Sequence, residues 1–440
     1  MTSATQRLDG NLLPATMLRA DVARKRALNR LIANVAIGFG VFLLGFVMSE
    51  PAPYELYMVG LIALALLFGL RLTRTSLVLL ALFAIFNFGG MISVMQMADV
   101  KKAPLYIAVS LFLGFTSVFF AAIIEGDYRR LKIIFNAYLL VGVLSSLLGI
   151  AGYLDLIPGA ENFTRYGRAK GMFQDPNVYG PFLILPLTWT LYRIMRGNLR
   201  DVAVYLPFCC LLTLGVLVSF SRAAWAMVPL SFIILFGVLF LQSNSNRFRL
   251  RLIAIGLLCL VAIILAVLII LQIPGVGDFF RERARLEQSY DSARLGRFAR
   301  HWLGMILSTQ HPLGIGPLEF GPMFGEDTHN IWLKAALDYG WIGLIAFLTL
   351  TFLTIGIGFK LLFRNRPWQP FLLVTYATYL GHVLIGNVID TDHWRHFYLL
   401  FGIVWGCAGL EYKYQLSHAT GERSGEQRLA IRDIRRSSAV

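Results

Sequence analysis

Charge is scarce in this sequence. Asp, Glu, Lys and Arg make up 15% of the 440 residues, while 57% are hydrophobic. Soluble domains carry about a quarter charged residues, so an ordinary soluble fold is excluded. Cysteine is sparse too. Cys209, Cys210, Cys259 and Cys407 all lie inside apolar runs, with no C-x-x-C spacing. Neither a disulfide framework nor a cysteine metal site is expected. No Walker-type glycine loop is present, so a bound nucleotide is not expected. No repeat of fixed period is visible. No metal and no cofactor are called for.

What the sequence has is apolar runs of membrane length. A helix needs about twenty apolar residues to cross the hydrocarbon core, and lipid leaves no partner for an open strand edge. The runs fall near 31–49, 54–70, 76–97, 104–124, 133–153, 178–195, 202–219, 223–241, 252–272, 331–359, 369–388 and 397–411. The fold class expected is all-α, a polytopic membrane protein of about twelve transmembrane helices with one large outer loop containing an amphipathic helix. The organisation expected is a basic tail at 1–30, nine membrane helices over 31–272, the large loop at 273–330, three membrane helices over 331–411 and a second tail at 412–440. No small-residue cleavage site follows the first run, so it reads as a retained span. The second tail is polar and of mixed charge, and reads as loose chain.

The net charge of +15 would point to nucleic acid in a soluble protein. Here it has another distribution. With the N-terminus in the cytoplasm, every inner connection is basic, and these with both tails hold 26 of the 40 Lys and Arg. This is the positive-inside pattern, so the bilayer is the expected partner and no nucleic acid is expected. Both termini are then cytoplasmic. Two outer connections break the pattern: residues 154–177, with Arg165, Arg168 and Lys170, and residues 273–328, with Arg281, Arg283, Arg285, Arg294, Arg297 and Arg300. Arg222 stands nearly alone in a very short outer turn. An anionic ligand on the outer face would account for cations there. Pairing with local acids, or snorkelling of Arg222 to lipid phosphate, is the plainer account.

Four stretches carry candidate chemistry, all on the outer face. Arg168 through Gly180 contains the turn Asp175-Pro176-Asn177, where Asn177 can cap the sixth span and Arg168 and Lys170 can add charge for an anion. Ser219-Phe220-Ser221-Arg222 offers a guanidinium fork suited to phosphate oxygens. In the large loop, 278–309 reads as an amphipathic helix, followed by His311-Pro312-Leu313-Gly314-Ile315-Gly316 and then Glu326-Asp327-Thr328-His329-Asn330. His329, beside two carboxylates at a helix start, has the chemistry of a base; a plain polar cap is the alternative. Asp390 through His396 is a polar and aromatic last loop, either a further wall of the site or an interfacial belt.

These motifs resemble a family. His329-Asn330, nine residues, Gly340 and then Gly343 resembles the signature of O-antigen ligases and bacterial O-oligosaccharyltransferases. Pro312-Leu313-Gly314-Ile315-Gly316, Ser221-Arg222 and Gly171-Met172-Phe173 through Asn177 resemble other motifs of the same superfamily, and the resemblance covers about residues 130–400. It implies a metal-independent transferase of the bacterial inner membrane, active on the periplasmic face. The donor implied is a glycan on undecaprenyl pyrophosphate, and the acceptor is lipid A-core, growing polysaccharide or protein. By resemblance Arg222 binds the pyrophosphate, Arg294 or alternatively Arg297 shares that task, and His329 activates the acceptor hydroxyl or orients the donor, with Asn330 beside it. A polymerase of the same superfamily is the alternative. A lipid-linked glycan transporter is disfavoured, because the apolar runs hold almost no ionisable residues.

Overall fold

The computed structural model describes residues 15–100, 102–273, 276–284 and 296–437. The described chain is a bundle of helices: α1 (Ala15–Leu43), α2 (Pro53–Leu67), α3 (Arg74–Val94), α4 (Ala103–Gly126), α5 (Arg130–Tyr153), α6 (Pro176–Phe182), α7 (Ile184–Arg196), α8 (Leu199–Val218), α9 (Arg222–Gln242), α10 (Asn246–Gln272), α11 (Val276–Ala284), α12 (Arg297–Gln310), α13 (Phe320–Phe324), α14 (Ile331–Leu362), α15 (Gln369–Ile385) and α16 (Arg395–Ser437). A short antiparallel pair, β1 (Thr164–Arg165) and β2 (Arg168–Ala169), folds between α5 and α6.

Among the described residues, eight helices are long and apolar enough to cross a membrane. The protein is therefore a multi-pass helical membrane protein. The expected count was about twelve, and the four other runs are shorter, interrupted or extended. α2 has 15 residues and α15 has 17. The sixth run is split at Leu183 into α6 and α7, where Pro181 lies inside the short first piece. Proline removes a helix hydrogen bond and clashes with the preceding turn. The last run, α16, continues helical through the polar tail to Ser437, where loose chain was expected. Polar composition denies a segment a packed core, but not a helix. The amphipathic stretch 278–309 is not one helix either. Gly296 is extended (φ −69°, ψ 174°) and starts α12 afresh.

α14 packs along α3, and α16 along α4. Lipid gives no hydrophobic drive between helices, so close backbone approach does the work. A Cβ on Gly89 would lie 2.4 Å from the Tyr339 carbonyl oxygen and 2.7 Å from the Gly343 amide nitrogen. Phe86 and Tyr339 then stack at 3.9 Å beside that crossing.

Polar contacts divide the bundle into two ends. At one, Lys413 meets Glu125, Arg366 meets Glu411 and Arg193 meets Asp201, at 3.1, 2.7 and 2.6 Å. The other end gathers the described parts of the connections, 44–52, 95–100, 154–175, 219–221, 276–284, 296–330 and 386–394. There the Val47 amide donates to Met172, and Arg395 bonds Glu50 at 2.7 Å and also reaches Glu55. All four candidate stretches lie at this loop-rich end.

Candidate functional site

The site is built on two neighbouring groups. The first surrounds the Ser221-Arg222 turn. Phe220 takes a left-handed conformation (φ 46°), which a bulky residue rarely adopts. Ser221 then caps α9, its hydroxyl accepting from the Ala224 amide, so Arg222 is the first helical residue. Arg168 braces this turn from β2. It is 5% exposed, donates from Nε to the Ser219 carbonyl at 2.8 Å and from Nη2 to Asn177 Oδ1 at 2.7 Å. The cap of α6 is Asp175, which accepts from the Asn177 amide, and not Asn177 as the turn sequence suggested. The Asp175 carboxylate takes the free backbone N–H here, while the Asn177 side-chain oxygen is engaged by Arg168. Lys170 stands beside this group, half-buried. Partial burial, and then the Arg165 charge, pull its ammonium below the ordinary value. α11 closes the group from above, with Phe279 against Phe220 at 4.7 Å and Phe280 against Trp225 at 4.8 Å.

The second group surrounds His329, which is itself left-handed (φ 50°) and half-buried. The sequence placed it beside Glu326 and Asp327. The structure assigns both carboxylates elsewhere: Glu326 pairs with Arg300 at 2.6 Å and Asp327 with Lys334 at 3.0 Å. The partner of His329 is Asp390, from the last loop, with Nδ1 3.3 Å from Oδ2. A carboxylate on Nδ1 leaves Nε2 turned away with its lone pair, the tautomer a base requires. Nothing in the local sequence signals this pairing. The polar density of 390–396 was its only trace.

Asn330 is the cap of α14. Its Oδ1 accepts from Trp332 and Leu333 amides at 3.0 and 3.1 Å, and its Nδ2 donates to the Asn387 carbonyl at 3.1 Å. The Ile331 amide donates to the Gly386 carbonyl at 2.7 Å. The histidine loop and the last loop are thus tied by backbone and side chain together. Arg297 opens α12 and shares that helix with Arg300 and His301. Arg294, the other arginine considered, lies outside the described residues.

His301 was passed over in the sequence. Burial lowers its proton affinity; contact with the Thr328 backbone opposes this, and the Arg297 charge adds to it. Its Nε2 is buried without a hydrogen-bond partner. Among the described residues, no group of three or more His, Cys, Asp or Glu side chains converges as metal ligands would.

The two groups meet through a buried histidine pair. His396 and His382 approach at 3.1 Å between Nε2 atoms, and Phe182 of α6 packs edge-on against His396 at 5.5 Å. The His382 Nδ1 faces the Thr378 carbonyl at 2.9 Å and so donates there. Its Nε2 must then accept, and His396 donates.

These features define a multi-pass helical membrane protein whose candidate site sits at one end of the bundle. Residues 207–348 match the family described as O-Antigen ligase, and that match supports the O-antigen ligase-like superfamily. It holds Arg222, Arg297 and His329, and supports a membrane enzyme of the ligase and polymerase family. No curated protein matches the chain.

Proposed function

We propose that this protein is a glycosyltransferase of the O-antigen ligase type. It transfers a glycan from undecaprenyl pyrophosphate to an acceptor hydroxyl, on the periplasmic face of the bacterial inner membrane. One observation carries the reading: the stretch matching the ligase family contains both the lone turn arginine, Arg222, and the aspartate-paired histidine, His329.

The chemistry follows from the donor. Its pyrophosphate is already a good leaving group, so the protein has to neutralise charge and align a hydroxyl behind the anomeric carbon. Arg222 takes the pyrophosphate with its planar fork. Arg297 and Lys170 add positive charge, and Arg168 holds Asn177 and the turn in place. His329 Nε2 accepts the proton as the acceptor oxygen bonds the anomeric carbon. The bond from that carbon to the pyrophosphate oxygen breaks, and undecaprenyl pyrophosphate leaves with the electron pair. Asp390 orients the ring and balances the imidazolium. Asn330 fixes the helix start beneath it.

The test is genetic and structural together. Arg222→Ala and His329→Ala each abolish long-chain glycan on the cell surface, at unchanged membrane abundance. Full activity of both variants would sink the proposal. A deletion strain then decides the acceptor. Loss of all long chains from lipid A-core marks a ligase, and retention of single repeat units marks a polymerase.

A further inference from the structure

We infer that Tyr106 and Lys334 are positioning residues that hold the His329–Asp390 pair in register from two sides. This rests on the function proposed above, since it gives that pair a task to be positioned for.

Asp390 is poorly fixed at its own carboxylate. Oδ2 meets His329, while Oδ1 is buried with no hydrogen-bond partner among the described residues. Thr391, fully buried, also leaves its hydroxyl without one. The next residue is anchored from three directions. Asp392 is 6% exposed, and its Oδ2 receives the Tyr106 hydroxyl at 2.5 Å and His393 Nδ1 at 2.7 Å. The Tyr398 hydroxyl donates to its backbone carbonyl at 2.8 Å. His393 returns to Tyr106 as well, with Nε2 3.1 Å from the Tyr106 carbonyl oxygen and ring centroids 3.9 Å apart. Burial alone would raise the Asp392 carboxyl. The charge and hydrogen bond of His393, the Lys334 charge and the Tyr106 hydroxyl outweigh it and hold Asp392 ionised, below the usual range. Tyr106 belongs to α4, a rigid helix, so this contact refers the last loop to the body of the bundle.

The histidine side mirrors it. Lys334, 5% exposed in the first turns of α14, holds Asp327 at 3.0 Å and Asp338 at 3.4 Å. An ionisable side chain buried in a membrane helix calls for a stated reason. Its ammonium lies 5.6 Å over the Tyr106 ring. One tyrosine therefore faces both braces. Each brace sits two residues from the group it steadies, Asp392 from Asp390 and Asp327 from His329. Two extended residues reach at most about 7 Å, so either anchor leaves little slack.

Lys334 is buried and the half-buried Tyr106 has its hydroxyl taken up by Asp392, so both act through the pair. A misplacement of about 1 Å at a reacting group can cost about a hundredfold in rate. The test uses the full-length protein in proteoliposomes with an undecaprenyl-pyrophosphate-linked glycan and its acceptor. Tyr106→Phe keeps the ring and removes one hydroxyl. It is expected to lower kcat by about tenfold or more with KM for the donor unchanged. Placed on Asp390→Asn, it should cause no further loss of the residual activity, because its effect passes through Asp390. Lys334→Arg keeps the charge with a different reach and gives the same kcat loss; it reads the proposal should Tyr106→Phe fail to accumulate. Full turnover in both variants, full turnover in Asp390→Asn, or an equal fold loss in the two backgrounds overturns it. His329→Ala, assayed alongside, separates the two ideas. If it stays fully active, the proposed function falls; if it is dead while both braces are dispensable, only the positioning inference falls.

Discussion

At the residue scale, the histidine that the sequence singled out is held in a way the sequence does not state. His329 adopts a left-handed backbone, its neighbour Asn330 takes over the capping of α14, and its carboxylate comes from Asp390. A cap is readable from a polar residue before an apolar run; the sequence offered His329 as that cap, and the structure gives the place to Asn330. A partner 61 residues along the chain is not readable, because it depends on how α15 returns the chain to the same end. His301 illustrates the same limit and carries a prediction. Burial lowers the proton affinity of its ring in the folded protein. An unfolded histidine titrates near 6.5, so the unfolded state gains protons first as pH falls. The folded form is thus at its full stability above that value and loses stability below it. His301→Gln removes this loss. In detergent, the fall in Tm between about pH 7.5 and 5.5 should be smaller for the variant than for the native protein. An equal fall would show that His301 titrates the same way in both states.

At the element scale, the family glycine Gly340 has a structural meaning that its spacing conceals. It sits inside α14 at φ 65° and ψ −177°, a region essentially closed to side chains. The helix is interrupted there, and the Pro312–Gly316 segment fills the gap. Trp341 donates its amide to the Pro312 carbonyl at 2.9 Å, and Ile315 donates to the Leu337 carbonyl at 2.8 Å. Two motifs far apart in sequence are therefore one joint. The apolar pattern predicted one run at 331–359, open to a short interfacial start, and did not place the break at Gly340, since periodicity records which face is buried and not whether the backbone ladder is continuous. A Cβ at Gly340 would lie 2.8 Å from both the carbonyl carbon and oxygen of Leu313. Gly340→Ala should cost at least about 1–3 kcal/mol from backbone strain alone and lower the unfolding temperature in detergent. Gly356, on the same helix with nothing within 4 Å of an added Cβ, is the control. Gly356→Ala should be neutral or slightly stabilising, by about 0.5–1 kcal/mol at most. Equal behaviour of the two variants would mean the joint is not a constraint on the fold.

At the scale of the whole molecule, membrane character was plain from composition, and most helix ends fall within a few residues of the apolar runs. The exceptions include a proline-bearing break after α6 and a polar tail that continues α16 as helix. The outer arginines were only half legible. Arg168, Arg300 and Arg395 are engaged by protein acceptors, so local structure accounts for part of the charge that suggested a ligand. Orientation is the property that joins the two ends to function, and charge counting makes a definite prediction for it. The proposed site faces the periplasm only if the end bearing Arg193, Arg366 and Lys413 is cytoplasmic, as the positive-inside rule requires. Glu161, exposed at the loop-rich end, and Asn244, exposed at the other, are suitable reporters. The native cysteines lie within helices α8, α10 and α16 and are replaced by alanine to clear the background. In cells with a permeabilised outer membrane, a membrane-impermeant maleimide should label Glu161→Cys at once. Asn244→Cys should react only after the inner membrane is opened. The reverse pattern would put His329 and Arg222 on the cytoplasmic side, away from any periplasmic acceptor, and the transferase reading would have to be abandoned with the orientation.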